Sequence, residues 1–554
     1  MFRRLSLLIA VTVGVVGFGG VVSAAVGPLT LASGPSPFAG CAVGGPGTIN
    51  VNAEEEPFFA VDPTDSSHMI GVFQQDRWDN GGAHGLATAF THNAGASWSE
   101  TFAHFSLCSG GTVANGGDFE RASDPWVSFA PNGDAYQVAL TLNASDAATG
   151  VLVSKQVHGS DTWSEPVTLA RDTSPFSSHD KESITADPTD SRNVYAVWDR
   201  VRKPGENSSP NAGHSFAFRG DLMFSRTTDA GATWSAPRNL LPTNANVFTI
   251  GNIVAVLPNG TLVDVFEFVK GSGRQGSPNQ FTQSVMRSTD KGLTWSPVID
   301  ISSDQSIGVT DPDTGAPERT GAGLPDVAVA PDGTLYVTGI DARAGVWLAR
   351  SKDGGKSFRL ARVAPLPGNR ARDCATASGH PTPFQGIRCV GPNPSVAASN
   401  ERVFVTYGVG KVGEPQSVRI GVFDGSLHPL WRGEVGPADP KADRFWPASA
   451  LDATTGRLSV CFYDTSGDPS RAHAWYSCTS SRDGRSWAKP VRAARDSASP
   501  DVLWEDARVY AFGDVIGYGG STGVAAAGGN VYPLWIDTSD LEGRKQEVFG
   551  ATLP

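Results

Sequence analysis

The sequence is short of charge and has no surplus of cations. Only 18% of its 554 residues are charged, and 44 Lys and Arg face 56 Asp and Glu, for a formal net charge of −12. A nucleic-acid backbone calls for clustered cations, so nucleic acid is excluded as the natural partner. No convincing ten-residue stretch carries a helical apolar period. A Gly-X-Y period is also absent, which excludes collagen although 64 Gly and 38 Pro are present. There is no Cys-x-x-Cys and no nearby His pair, so zinc is disfavoured for the six cysteines. Beyond the N-terminus nothing reads as a membrane span. What the chain does have is core material: 40% hydrophobic residues, with 14 Trp and 27 Phe. It is therefore globular, with turns in excess. Length alone suggests three or four domains, but one large all-β body can exceed that prior.

Arg3 and Arg4 precede an apolar run from Leu5 to Val22, and Val22-Ser23-Ala24 ends it with small residues. This predicts a signal peptide over 1–24, with an uncleaved anchor as the alternative. Loss of its two arginines would take the net charge from −12 to −14. An even cysteine count fits export to an oxidising compartment. Cys461 and Cys478 fall on neighbouring strand-like runs, and Cys374 and Cys389 bracket a Gly/Pro/Thr-rich loop. Cys41 and Cys108 remain as the third pair. The expectation is a secreted protein, extracellular or periplasmic, free of the membrane after cleavage and monomeric.

The most specific signal is a recurring turn. It reads Thr227-Thr228-Asp229-Ala230-Gly231-Ala232-Thr233-Trp234, then Ser288-Thr289-Asp290-Lys291-Gly292-Leu293-Thr294-Trp295. A third copy is Ser351-Lys352-Asp353-Gly354-Gly355-Lys356-Ser357-Phe358. Looser copies end at Trp98, with Asn93 for the Asp, at Trp163, and at Trp487. The aromatic positions 98, 163, 234, 295 and 358 step by a period near 64, and the last gap is double, so one copy near residue 424 has lost its signature. Each unit also carries a strand, a short turn and a second strand, as in Val327–Ala330 before Leu335–Val337. Eight such pairs occur. Four short strands per period, repeated, predict an all-β chain folded as a β-propeller of four-stranded antiparallel blades. Eight blades is the expected count, with seven as the alternative. The last blade lacks a strand, which Thr48–Asn52 is expected to supply, closing the ring. The expected layout is a signal peptide over 1–24, an N-terminal extension over 25–47 and one propeller domain over 48–554.

The Ser-x-Asp-x-Gly-x-Thr-Trp turn is similar to the Asp box, or bacterial neuraminidase repeat, and the chain resembles the sialidase superfamily across nearly its whole mature length. The resemblance implies a sialidase-like propeller with the boxes on its rim, so Asp229, Asp290 and Asp353 are expected to be structural. The superfamily includes glycan-acting enzymes, binders and assembly factors, so the box leaves activity open. Sialidases clamp a carboxylate with three arginines, the first usually in Arg-Ile-Pro, and this chain has none. Its opening segment is the anionic Glu54-Glu55-Glu56-Pro57.

In a propeller the innermost strand of each blade comes first, and its entry faces the central channel. Those entries include Ser123-Asp124-Pro125, His179-Asp180-Lys181-Glu182, Pro325-Asp326, Asp443-Arg444-Phe445-Trp446 and Gly513-Asp514. Converging carboxylates could act as an acid/base pair for glycoside cleavage or take calcium; alternatively, each caps a strand or ties two blades together. The catalytic candidates are Asp124, His179, Asp180, Glu182, Asp326 and Asp514. Arg319, Arg444 and Trp446 are candidates for holding a sugar or carboxylate. No cofactor is required on this reading, and calcium is the one ion the ring could take. The expected partner is an extracellular glycan or polysaccharide, either cleaved or only bound. A protein- or cell-wall-binding scaffold and a true exo-sialidase are the two rival readings.

Overall fold

In a computed structural model, the chain is described over residues 30–203, 219–271, 280–302, 325–341, 345–365, 393–409, 415–469, 473–493, 523–537 and 547–553, with short strand pieces at 304–305, 309–310, 317–318 and 502–503. These residues form eight blades of antiparallel strands, and their one helical element is a single 3₁₀ turn, Leu107–Ser109. The innermost strands, in blade order 1 to 8, are Ile49–Val61, Arg121–Phe129, Ser177–Ala186, Val247–Val256, Asp326–Val329, Ser395–Ala398, Arg444–Asp452 and Gly523–Ala527. Each touches the next, and Gly523–Ala527 touches Ile49–Val61, so the two ends of the array meet.

Apolar side chains alternate along these strands and meet across the seams, where each of the eight seams has its own buried cluster. The box aromatics belong to them: Trp98 packs in the seam between blades 8 and 1, Trp234 between 2 and 3, and Trp487 between 6 and 7. A blade exposes both faces and can bury them only against neighbours, so the stability of one blade depends on the next.

The strand that completes blade 8 is not Thr48–Asn52. It is Thr30–Leu31, pairing with Gly550 and Phe549, whereas Ile49–Val61 is the long innermost strand of blade 1. Cys41–Cys108 is a disulfide and ties the segment that follows Thr30–Leu31 to blade 1. Cys461–Cys478 joins two paired strands of blade 7. Cys374 and Cys389 lie outside the described residues.

The Asp boxes occupy the hairpin between the third and fourth strands. Asp290 accepts hydrogen bonds from the Thr294 backbone N–H at 2.9 Å and from the Ser288 hydroxyl at 2.7 Å, with the Thr294 hydroxyl at 2.5 Å. Asp229 and Asp353 make the same set. Asn93 substitutes faithfully, its Oδ1 accepting from Ser97 N–H at 2.9 Å. Where the signature is lost, Asp424 still accepts the N–H groups of Ser426 and His428, each at 2.8 Å. Gly292 has φ +82°, and a Cβ there would lie 2.4 Å from the Phe224 ring of the preceding blade, so both conformation and space demand glycine.

A second device links these hairpins. The turns of blades 3 to 6 each present a backbone carbonyl to a cation on the third strand of the blade before. Lys155 donates to Ala230 at 3.0 Å and Arg287 to Gly354 at 2.7 Å, while Arg226 donates to Lys291 and Arg350 to Gly425. At the seam between blades 8 and 1 the donors are hydroxyls instead, Thr30 to Gly95 at 2.6 Å and Thr552 to Ala94.

Candidate functional site at the inner strands of blades 2 to 4

Antiparallel connectivity places the entry of each innermost strand at the opposite end of the blade from its box hairpin. At that entry the strand breaks register against its neighbour in five blades, between Glu55 and Phe58, Ser123 and Trp126, Asp180 and Ser183, Ile250 and Ile253, and Phe445 and Ala448. One residue in each break is left-handed: Glu56, Asp124, Lys181, Gly251 and Trp446, with φ between 46° and 71°. A bulge re-aims the side chains around it and is a common feature beside functional sites. The residue after the left-handed one is Pro in blades 1, 2 and 7; in blade 3 it is Glu182.

Glu182 is 4% exposed, and among the described residues no other residue donates a hydrogen bond to either carboxylate oxygen. Burial, followed by the nearby charge of Asp124, pushes its carboxyl well above the usual range. Asp124 itself pairs with Lys181 at 2.6 Å and accepts the Ser123 hydroxyl at 2.6 Å. Asp180 accepts the Lys181 N–H at 3.0 Å. The four residues Asp124, Asp180, Lys181 and Glu182 therefore lie within electrostatic reach of one another across the entries of blades 2 and 3.

The seam between blades 3 and 4 continues this polar region. Asp199, in the second strand of blade 3 opposite Asp180, accepts from the Thr249 hydroxyl at 2.5 Å and from Asn252 Nδ2 at 2.8 Å. The Ser183 hydroxyl donates to the Asn252 carbonyl at 2.7 Å. Burial pushes the Asp199 carboxyl well up, although the Thr249 and Asn252 bonds oppose it and Asp180 adds to it. Asp264, in the second strand of blade 4, is fully buried with both oxygens unpartnered, and burial alone raises it well above the usual range. Asp199 and Asp264 were not among the sequence candidates. The available signal was a lone acid inside the apolar run Leu262-Val263-Asp264-Val265-Phe266.

The other candidates sit elsewhere. His179 is engaged at both nitrogens: Nδ1 accepts from Trp198 Nε1 at 3.1 Å, and Nε2 lies 3.2 Å from Asp172. The structure thus packs it into the seam between blades 2 and 3. Asp326 accepts the N–H groups of Val327 and Val396, both at 2.8 Å, and so ties blade 5 to blade 6. The Arg444 guanidinium is held by Asp464 at 3.0 Å and by the Pro437 carbonyl at 2.6 Å. Trp446 is buried against Phe445 and Tyr463. These two are built into blade 7. Arg319 and Asp514 lie outside the described residues.

Among the described residues, one group of three metal-ligating side chains has its ligand atoms within 4.8 Å of one another, and it comprises Cys41, His84 and Cys108, not the axial carboxylates. Also among the described residues, no helix is long and apolar enough to cross a membrane.

Residues 139–382 match the BNR repeat-like domain family. No curated protein matches the chain. Among solved structures, the chain is similar to a protein of unknown function from Dyadobacter fermentans, at 16% identity over 62% of this chain and 90% of that one, with a TM-score of 0.34. It is similar to an α-L-arabinanase of Penicillium chrysogenum at 13% identity over 72% and 98%, TM-score 0.40. A Trypanosoma rangeli sialidase follows at 13% over 67% and 54%, TM-score 0.34. Likenesses this distant carry no argument about activity. The box hairpins and the blade topology make the chain a β-propeller of antiparallel blades, and residues 139–382 of it match the BNR repeat-like domain family.

Proposed function

We propose that this protein is a secreted, monomeric propeller that recognises an extracellular glycan and hydrolyses a glycosidic bond at the inner-strand entries of blades 2 and 3. The observation that carries the reading is Glu182: a buried carboxyl to which no other described residue donates, beside a carboxylate, Asp124, that is anchored by Lys181. A carboxyl that burial pushes well above the usual range is the kind of group that can give a proton to a leaving glycosidic oxygen. Asp124 and Asp180, kept near it by the two bulges, supply negative charge toward a cationic sugar centre. The two disulfides fit an oxidising compartment, in keeping with export. The reaction on this reading needs no cofactor, and a chelator should leave the rate unchanged.

Purified protein spanning 25–554 should release sugars from at least one member of a panel of sialylated, neutral and uronic glycans, detected by mass spectrometry. Glu182→Gln should lose that release while still binding the same glycan. Release that survives Glu182→Gln would remove Glu182 from the chemistry. No release from any glycan, together with retained binding, would leave a non-catalytic glycan binder.

A further inference from the structure

The cluster of Cys41, His84 and Cys108 lies outside the axial site. The two sulfurs are joined, with Cα atoms 5.6 Å apart, and both cysteines are half-buried. His84 is buried, and its Nδ1 lies 3.1 Å from Asp76. Asp76 is fixed in turn by the Ser36 hydroxyl at 2.6 Å and the Asn52 N–H at 2.8 Å. A histidine oriented by a carboxylate in this way is the standard support of a metal-bound imidazole. Among the described residues, Cys461–Cys478 belongs to no such group.

We propose that, when the Cys41–Cys108 bond is reduced, the two sulfurs and His84 form a three-ligand site for zinc(II), with Asp76 as the positioning residue. Reduction by a thiol donates two electrons and two protons. The S–S bond opens to two thiols, and the reductant leaves as its own disulfide. Zinc then binds the two thiolates and an imidazole nitrogen of His84, releasing those two protons, and a water completes a tetrahedron. Oxidised or reduced, the segment after Thr30–Leu31 stays pinned to blade 1: by a covalent bond in one state, by the metal in the other.

The test uses the mature chain reduced with a phosphine, which spares the added metal, under anaerobic conditions. Zinc stoichiometry is measured after desalting, and cobalt(II) substitution reads thiolate ligation from its charge-transfer absorption. Reduced wild type should retain one zinc that the oxidised protein does not, with a thiolate-to-cobalt band absent from Cys41→Ser. Asp76→Asn should weaken zinc binding about 10–100-fold, and His84→Ala by more. Tryptophan fluorescence reports whether each variant keeps its blades; should His84→Ala unfold, Asp76→Asn decides. Absence of zinc from reduced wild type overturns the proposal. So does affinity unchanged in both His84→Ala and Asp76→Asn, because the metal would then be held by other thiols.

Discussion

The rim and the inner strands treat the same functional group in opposite ways. At the rim, Asp229 and Asp290 are held down to about 2, first by the hydroxyls of Thr233 and Thr294. Asp353 reaches about 2 as well, because Ser357 and Ser351 outweigh its partial burial. These three box carboxylates are saturated with donors from their own hairpins. In blades 3 and 4, Glu182 and Asp264 are buried with no donor from any other described residue, and Asp199 has two. A saturated carboxylate is a local fastener whose ionisation favours the fold. An unsaturated one is kept neutral by its surroundings, a state that destabilises the fold as pH rises and that chemistry can use.

The sharpest way to break this contrast is Glu182→Gln. Loss of a general acid should cut turnover by about 10²–10⁴-fold, while the melting temperature at neutral pH rises or holds, because the amide cannot ionise. A fall in stability with activity intact would place Glu182 with the fasteners. The next test is Asp264→Asn. An upward-shifted carboxyl holds its proton in the folded chain and loses it in the unfolded one, so the wild type loses stability as pH climbs above the unfolded value near 4. The amide cannot ionise, so it should be increasingly more stable than wild type above pH 4, by up to about 1.4 kcal/mol per pH unit. Urea midpoints at pH 4, 6 and 8 would show this, and a pH-independent difference would refute it. The smallest effect belongs to Asp290→Ala, which removes three hydrogen bonds from one hairpin and should cost about 1–2 kcal/mol. Its sign runs the other way: Asp290 stabilises above about pH 4, and that contribution fades as pH falls toward 2. Asp290→Ala should therefore be weakest relative to wild type at neutral pH, with turnover unchanged; a loss of turnover would move the box off the rim.

The rim was the legible half. Its hydrogen bonds are local, spanning four residues, so Thr227 to Trp234 contains the whole device, and eight pairs of strand runs yielded eight blades. The ring closure was misread because a strand of two residues, Thr30–Leu31, has no period to detect, whereas Ile49–Val61 has thirteen. The inner site was half legible. Asp124, Asp180 and Glu182 stood out because the bulge sequences interrupt the apolar pattern, but Arg444 and Trp446 interrupt it equally and proved to be blade packing. What separates them is whether partners 10 to 20 residues away saturate the side chain: Asp464 does so for Arg444, and nothing described does so for Glu182. That depends on register and on seams, which a linear pattern does not carry.

The cation latches give the ring a direction. From blade 2 to blade 6, each blade reaches forward to grip the turn of the next, so a strain applied at one hairpin is passed along one sense of rotation. The relay is guanidinium and ammonium for four steps, and at the join of blades 8 and 1 it is two hydroxyls, one of them on a two-residue strand. The circle therefore has a clasp. A protease or a pulling force should open this molecule at that clasp first, peeling off its N-terminal segment as far as Cys41, where the cross-link to Cys108 stops the tear.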